Sequence, residues 1–412
     1  MLIHWIWYAT LPGMNEQEKV ELLQHFHDPE DIFFTEEDNL AQVEGLTADG
    51  VKVLLNRDLT QAREILQECT DQQIELLTYR DEAYPVRLKS ISNPPLVLYY
   101  QGRLPDFDRL PLIGVVGTRK ASGYGLSTAK RMGFQIARCG GTVVSGAANG
   151  IDTMALQGAL LAGGTVIAIL GCGVDVVYPA SNRRLYEDIR RSGCLISEFP
   201  PGTPPYKWNF PKRNRNISGI SCGVLVVEAP KKSGALITAR HAREQGRDVF
   251  VTTGNVGVET CAGSNDLLRS GAVYADCGWD VVSEYEGLFP DKIHRDDVSA
   301  EQALRQDALE KPMAKVAQNS TFYGKKPASK TNKEKKVIDN GANTPYSDLK
   351  DKSISLTAEE QAVLEQVQGE CLVDDIIAAS GLPAGVVLGA LTMLEVKGAV
   401  TRLPGRRVCR KA

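Results

Sequence analysis

The residues best suited to chemistry lie between positions 206 and 218: Tyr206-Lys207-Trp208, then Phe210-Pro211-Lys212-Arg213-Asn214-Arg215-Asn216-Ile217-Ser218. Four basic groups, Lys207, Lys212, Arg213 and Arg215, interleave with three aromatic rings, and no carboxylate interrupts them. Cations follow a phosphate backbone while aromatic faces stack unpaired bases, at about 1 to 3 kcal/mol per base, so the combination suits a single-stranded nucleic acid. Asn214, between the two arginines, joins this candidate contact set. The competing reading puts Trp208 and Phe210 in a core and leaves the basic residues on a solvated helix face.

Three glycine-bearing turns could add anion contacts. Val115-Val116-Gly117-Thr118-Arg119-Lys120-Ala121-Ser122-Gly123-Tyr124-Gly125 does not match GxGxxG and has no acidic ribose partner at the usual distance, so no nicotinamide cofactor is expected. Arg119, beside Lys120, stands where backbone amides and a guanidinium clamp a phosphate, and Tyr124 could support a sugar or base. Ser145-Gly146-Ala147-Ala148-Asn149-Gly150-Ile151-Asp152 opens a helix with small residues, which fits an anion cradle and equally a plain tight turn. Lys231-Lys232-Ser233-Gly234-Ala235 adds a positively charged helix N-terminus.

Catalysis is not expected. There is no GxSxG, no Walker A lysine and no HExxH, and His241 is the only histidine between 112 and 277. Asp152, Asp175 and Glu198 could form a carboxylate site, but each also suits capping or structural hydrogen bonding. The nearest metal signature, His25-x-His27, places its two rings on different sides of a helical pattern. Nine cysteines without a CxxC pair read as reduced, mostly buried thiols.

Apolar runs at 112–116, 142–144, 165–170, 194–197, 223–227 and 248–252, most followed by a glycine-bearing turn and a helical pattern, predict a doubly wound α/β domain with a mainly parallel sheet. Ligands of such sheets gather at the carboxyl ends of the strands. The turns at 117–123, 145–152, 171–175 and 228–234 should therefore build the site.

At 412 residues the chain exceeds the usual single compact domain. Residues 1–77 read as a small helical domain, 78–111 as an extended connector containing Leu96-Val97-Leu98-Tyr99-Tyr100, and 112–287 as the α/β domain. Residues 288–354 read as a flexible linker, with eight lysines against one glutamate between 311 and 336. A solvated spacer is the favoured reading of it over a dedicated DNA-binding tail. Residues 355–412 give three helical patterns and a strand-turn-strand at Leu403-Pro404-Gly405-Arg406, a small winged helix. Its third helix, Pro383 to Glu395, has no Lys, Arg, Asn or Gln to read base edges, so protein contact is favoured over sequence reading, with Arg402, Arg406, Arg407, Arg410 and Lys411 left for phosphates.

Charge is divided unevenly. Residues 1–111 carry 9 Lys/Arg against 20 Asp/Glu, whereas residues 112–277 carry 19 against 11, within a chain of net charge −4. A basic middle in an acidic protein points to a localised anionic ligand. The turns Leu11-Pro12-Gly13 and Val43-Glu44-Gly45-Leu46 resemble those of helix-hairpin-helix or SAM-like modules, but their acidic surroundings argue against phosphate contact there. No apolar run reaches the roughly 18 residues of a membrane span, and the N-terminus has no basic run of a signal peptide, so the expected location is the cytoplasm.

Six ordered blocks carry a resemblance: Val116-Gly117-Thr118-Arg119; Ser145-Gly146 through Gly150-Ile151-Asp152; Gly171-Cys172-Gly173-Val174-Asp175 with Tyr178-Pro179 and Asn182; Ser197-Glu198-Phe199-Pro200-Pro201-Gly202; Phe210-Pro211-Lys212-Arg213-Asn214-Arg215; and Ser233-Gly234-Ala235-Leu236-Ile237-Thr238-Ala239-Arg240. Together they resemble the DNA-processing protein A family (DprA, also called Smf). The resemblance implies an extended Rossmann domain between a SAM-like N-terminal domain and a C-terminal winged helix. It also implies a recombination mediator without chemistry of its own, which binds and protects incoming single-stranded DNA in natural transformation, helps load the RecA recombinase and acts as a homodimer. By motif position the basic pocket carries over to Arg119, Ser145, Gly146, Phe210, Lys212, Arg213 and Arg215; the reading of the residues adds Lys120, Lys207, Asn214 and Lys232.

Departures from the family pattern are Asn149 for a frequent basic residue, Asn216 for a usual apolar one, and Thr252-Thr253-Gly254 for Val-Pro-Gly. The first weakens one possible phosphate contact and the others alter packing. A nucleotide-processing enzyme of the lysine-decarboxylase-like phosphoribohydrolase type is the alternative, but its PGGxGTxxE block is absent. A duplex-binding regulator conflicts with the apolar third helix of the winged module.

Overall fold

The computed structural model describes residues 1–296, 356–397, 399–403 and 407–410. The chain divides into two compact units, Met1–Gln318 and Asn319–Ala412. Most of the expected linker, 297–354, lies outside the described residues, as do the wing turn 404–406 and Lys411.

The first unit is built on a nine-stranded sheet: β1 (Glu75–Thr78), β2 (Val97–Gly102), β3 (Leu112–Val116), β4 (Thr142–Ser145), β5 (Val166–Leu170), β6 (Cys194–Ser197), β7 (Gly223–Val226), β8 (Asp248–Val251) and β9 (Val273–Tyr274). Their spatial order is β1-β2-β6-β5-β4-β3-β7-β8-β9. From β6 through β9 the pairing is parallel. The chain steps outward from β3 to β6, then crosses back to place β7 against the free side of β3. That reversal leaves a crevice at the carboxyl ends of β3 and β7.

Alternation along each strand explains the unbroken apolar runs. Ile113, Val115, Val143, Leu195 and Phe250 pack with the helices Gly123–Arg138, Ile151–Leu161 and Arg183–Ser192, while Leu112, Val144, Ile167, Val224 and Val249 pack with the helices Asn209–Ile220 and Gly234–Glu244. Both faces are covered, so both sets of side chains must be apolar.

The segment 78–111 is more than a connector. β2 hydrogen-bonds antiparallel to β6, with Tyr99 opposite Ser197, and β1 adds antiparallel to β2. These strands cap the edge that β6 would otherwise leave unpaired. The boundary expected at residue 77 therefore falls inside the sheet's edge hairpin. The N-terminal helices are capped where the loop signals lie, by Asn15 with Glu18, Asp28 with Asp31, and Thr47. Their core residues Trp5, Ile6, Tyr8, Leu22 and Ile32 are continuous with Leu96 and Tyr99.

The second unit has helices Ala358–Gln366, Val373–Ser380 and Ala384–Val396 and a three-stranded sheet of β10 (Glu370–Leu372), β11 (Val400–Leu403) and β12 (Arg407–Arg410) in the order β10-β12-β11. The third helix buries Val387, Ala390, Leu391 and Leu394 and exposes Leu388 and Met393. Among the described residues no single helix is long and apolar enough to cross a membrane.

Residues 288–296, expected as the start of the linker, pack on the α/β domain. Phe289 and Ile293 are buried in its core, and the His294 N–H donates to the Cys139 carbonyl at 3.2 Å. Ile293→Ala should lower unfolding free energy by about 2 to 4 kcal/mol, as for other buried aliphatic truncations. Denaturant melts would check it, and an unchanged midpoint would contradict this boundary.

Candidate nucleic-acid interface

The crevice at the carboxyl ends of β3 and β7 is an open cleft of about 680 Å³. One wall is the turn after β3, Gly117 to Lys120; the opposite wall is Pro230 to Ala235, the turn leading into the helix Gly234–Glu244. Ser233 caps that helix, its Oγ accepting from the Ala235 N–H at 3.3 Å, and the remaining first-turn donors make this rim attractive to anions. Phe210, Arg213 and Asn214 supply a third side from the helix Asn209–Ile220.

Arg119, Lys120 and Lys232 are exposed cations on this rim, and none has an ion-pair partner among the described residues. The Arg119 guanidinium lies over the Phe210 ring, 4.9 Å from its centroid, an arrangement that fixes a flexible cation without neutralising it. On its other flanks Phe210 meets Tyr178 at 5.5 Å and Arg213 at 5.9 Å. Glu259 is the one exposed carboxylate in the lining.

Glu228 was not singled out from the sequence as part of this architecture. It is buried, and its carboxylate accepts from the Ser122 N–H at 3.1 Å and the Ser122 hydroxyl at 2.8 Å. Ser122 in turn caps the helix Gly123–Arg138 through the Gly125 N–H. The carboxylate thus ties the turn that carries Arg119 to the end of β7. Gly125 is required there because a Cβ would fall 1.8 Å from a Glu228 oxygen.

Several predicted contact residues have other duties. Arg213 is 3 % exposed; its guanidinium donates to the Gly146 carbonyl at 2.9 Å and to the Ile169 carbonyl. Asp152, also buried, accepts from the Gly146 N–H at 3.1 Å and stands in the field of Arg213; burial pushes its carboxyl above the usual range while the guanidinium opposes that shift. Ser145 is fully buried and donates to the Val115 carbonyl at 2.6 Å. At the start of the turn 145–152 the Ser145 hydroxyl and both backbone groups of Gly146 are thus engaged by the protein's own groups, while Ala148 and Asp152 line the cleft.

Arg215 forms a two-pronged pair with Glu198, at 3.0 and 2.7 Å, and Asn216 donates to the same carboxylate at 3.1 Å. The polar Asn216, a departure from the family pattern, completes this buried set. Lys212 reaches the Glu16 carboxylate of the helical region at 2.5 Å, with Glu198 at 3.9 Å. Lys207 is exposed on the preceding loop. Of the eleven predicted residues, the structure brings Arg119, Lys120, Phe210, Arg213, Asn214 and Lys232 to the cleft, and leaves Ser145, Gly146, Lys207, Lys212 and Arg215 outside its lining. Asp152, Asp175 and Glu198 each serve a separate hydrogen-bond set, Asp175 holding the Gly202 N–H at 2.9 Å.

A mainly parallel sheet with a basic, aromatic-floored cleft at its topological switch is followed in sequence by a winged helix. Residues 75–286 match the family model described as DNA recombination-mediator protein A, and residues 348–406 match the DprA winged helix domain. Protein Smf of Synechocystis sp. is 33% identical over 99% of this chain and 98% of its own length. DNA processing protein DprA of Streptococcus pneumoniae is 41% identical over 50% of this chain and 72% of its own, and the X-ray structure of that DprA aligns with a TM-score of 0.56 at 32% identity, covering 69% of this chain and 98% of that one. The chain belongs to the DprA/Smf family.

Arg213→Ala or Arg215→Ala should cost about 3 kcal/mol or more of stability, because the first removes the guanidinium beside buried Asp152 and the second the two-pronged partner of Glu198, which then keeps only Lys212 at 3.9 Å. Arg119→Ala, at an exposed position, should leave the melting temperature nearly unchanged. Thermal melts of the three variants check this, and wild-type melting of the Arg213 and Arg215 variants would contradict the scaffold role.

Proposed function

We propose that the cleft binds single-stranded DNA and that the protein is a recombination mediator, protecting incoming DNA in natural transformation and helping load RecA, without catalysis of its own. The carrying observation is the stack of Arg119 on Phe210 at the mouth of a cleft whose exposed cations have no ion-pair partner among the described residues. A phosphate finds Arg119, Lys120, Lys232 and a helix N-terminus there, and an unpaired base finds an aromatic ring. Paired bases in a duplex cannot offer their faces to that ring, so the site favours the single strand. Lys207 extends the positive surface beyond the cleft.

A homodimer is supported by the edge of the sheet, where Val273 and Tyr274 of β9 are about half exposed. A second copy on that edge would remove these side chains from water. Leu388 and Met393 on the third helix of the winged module suit a protein partner, not base edges. The cytoplasm, where RecA and reduced thiols are found, is the proposed location.

Fluorescence anisotropy with labelled single-stranded and duplex oligonucleotides of equal length, across a salt series, tests the reading. Salt-dependent preference for the single strand is expected, and Arg119→Ala should weaken it about tenfold and lower the slope of log affinity against log salt by about one. Equal affinity for both forms, or an unchanged slope in folded Arg119→Ala, would count against it.

A further inference from the structure

The loop from Pro200 to Trp208 joins β6 to the helix Asn209–Ile220 and carries two large rings that the core does not use. Tyr206 is 45 % exposed and Trp208 69 % exposed, although the rings lie on each other with centroids 4.7 Å apart and planes 9° from parallel. That stack covers one face of the indole, so the exposed area of Trp208 is mainly its outer face and edges. Indole and phenol surface of this extent is costly to leave in water without a use.

The loop is held in shape. The Gly173 N–H donates to the Thr203 carbonyl at 3.0 Å, the Thr203 hydroxyl to Pro200 at 2.6 Å, the Tyr206 N–H to Pro204 at 2.8 Å and the Asn209 N–H to Tyr206 at 3.0 Å, while Asp175 holds Gly202. A ring pair fixed in advance loses little entropy when a third ring joins the stack. The loop runs directly into a cleft residue: Phe210, two residues after Trp208, lies beneath Arg119 and against the partly exposed Tyr178.

Charge selects the occupant. Lys207, between the two rings, is exposed, whereas Lys212 and Arg215 are balanced by Glu16 and Glu198, and Arg213 is buried beside Asp152. Past Phe210 the surface thus offers ring faces flanked by Lys207, with the charges of Lys212, Arg213 and Arg215 already matched. The geometry points to Tyr206 and Trp208 as a second nucleobase-stacking station, taking an unpaired base of the same strand as it leaves the cleft toward β6. This rests on the single-strand reading of the cleft. Its signature differs from that of the cleft: affinity gained by stacking is nearly independent of salt, whereas the Arg119 contribution is not.

The test uses the full chain with oligothymidylates of graded length and with length-matched strands carrying abasic sites. Trp5 and Trp7 are buried and Trp279 is partly buried, so quenching of indole emission on binding reports chiefly on Trp208. Trp208→Ala should weaken binding of the longer oligothymidylates by about fivefold or more with an unchanged salt slope, bind the shortest strands as wild type does, and bind abasic strands as wild type does. Trp208→Phe should recover most of the loss. Wild-type affinity of folded Trp208→Ala for every length, while Arg119→Ala remains defective, overturns the station and leaves the cleft reading standing. Absence of single-strand binding by the wild-type protein overturns both.

Discussion

A buried guanidinium joins the crossover helix to the carboxyl ends of the central strands. Arg213, on the helix Asn209–Ile220, donates to Gly146 after β4 and to Ile169 in β5, while Asp152 holds the Gly146 amide from the other side. A Cβ at position 146 would lie 2.5 to 2.7 Å from the guanidinium atoms, so only glycine lets the arginine in. With Arg213 fixed, Phe210 is set on the sheet against Gly171 and Tyr178, and Arg119 rests on Phe210. The outermost, ligand-facing cation is thus positioned by a column of contacts whose base is a buried one.

This arrangement divides one basic segment into two kinds of charge. Arg213 and Arg215 stabilise the fold because each is matched by a buried carboxylate, and losing either partner leaves an isolated charge in a poorly solvated site. Arg119, Lys120 and Lys232 are exposed and have no ion-pair partner among the described residues, and they come from turns on either side of the switch point. The exposed cations of the cleft and the cations that hold the fold are therefore different residues, although the sequence places Lys212, Arg213 and Arg215 in the densest basic run.

Much of the fold was legible because a parallel sheet covered on both faces requires continuous apolar strands. The runs at 112–116 and 194–197 coincide with β3 and β6, and the others fall within one residue of their strands. β9 escapes because two residues, Val273 and Tyr274, give no pattern, and β1, four residues at the end of the segment read as helical, escapes for the same reason; β2 is legible as the strand-like Leu96 to Tyr100 of the expected connector, but its pairing with β6 is not. At the site, Arg119, Lys120, Phe210 and Lys232 were readable from residue type and from the turns that carry them. The roles of Arg213 and Arg215 were not, since their partners come from chain segments 17 to 67 residues away and burial is a property of the packed helix. The same limit hid Glu228, whose partner Ser122 lies 106 residues earlier.

The central claim is a location: the strand lies along the carboxyl ends of the parallel strands, with its bases on aromatic rings. Photocrosslinking of a bromouracil-substituted single strand to the full chain, followed by mass-spectrometric mapping of the modified residues, measures that location directly. Adducts at Tyr124, Tyr178, Phe210 or the Tyr206–Trp208 loop are the predicted result. Adducts confined to residues 356–410, with none between 117 and 235, would place the strand on the winged module and contradict the account.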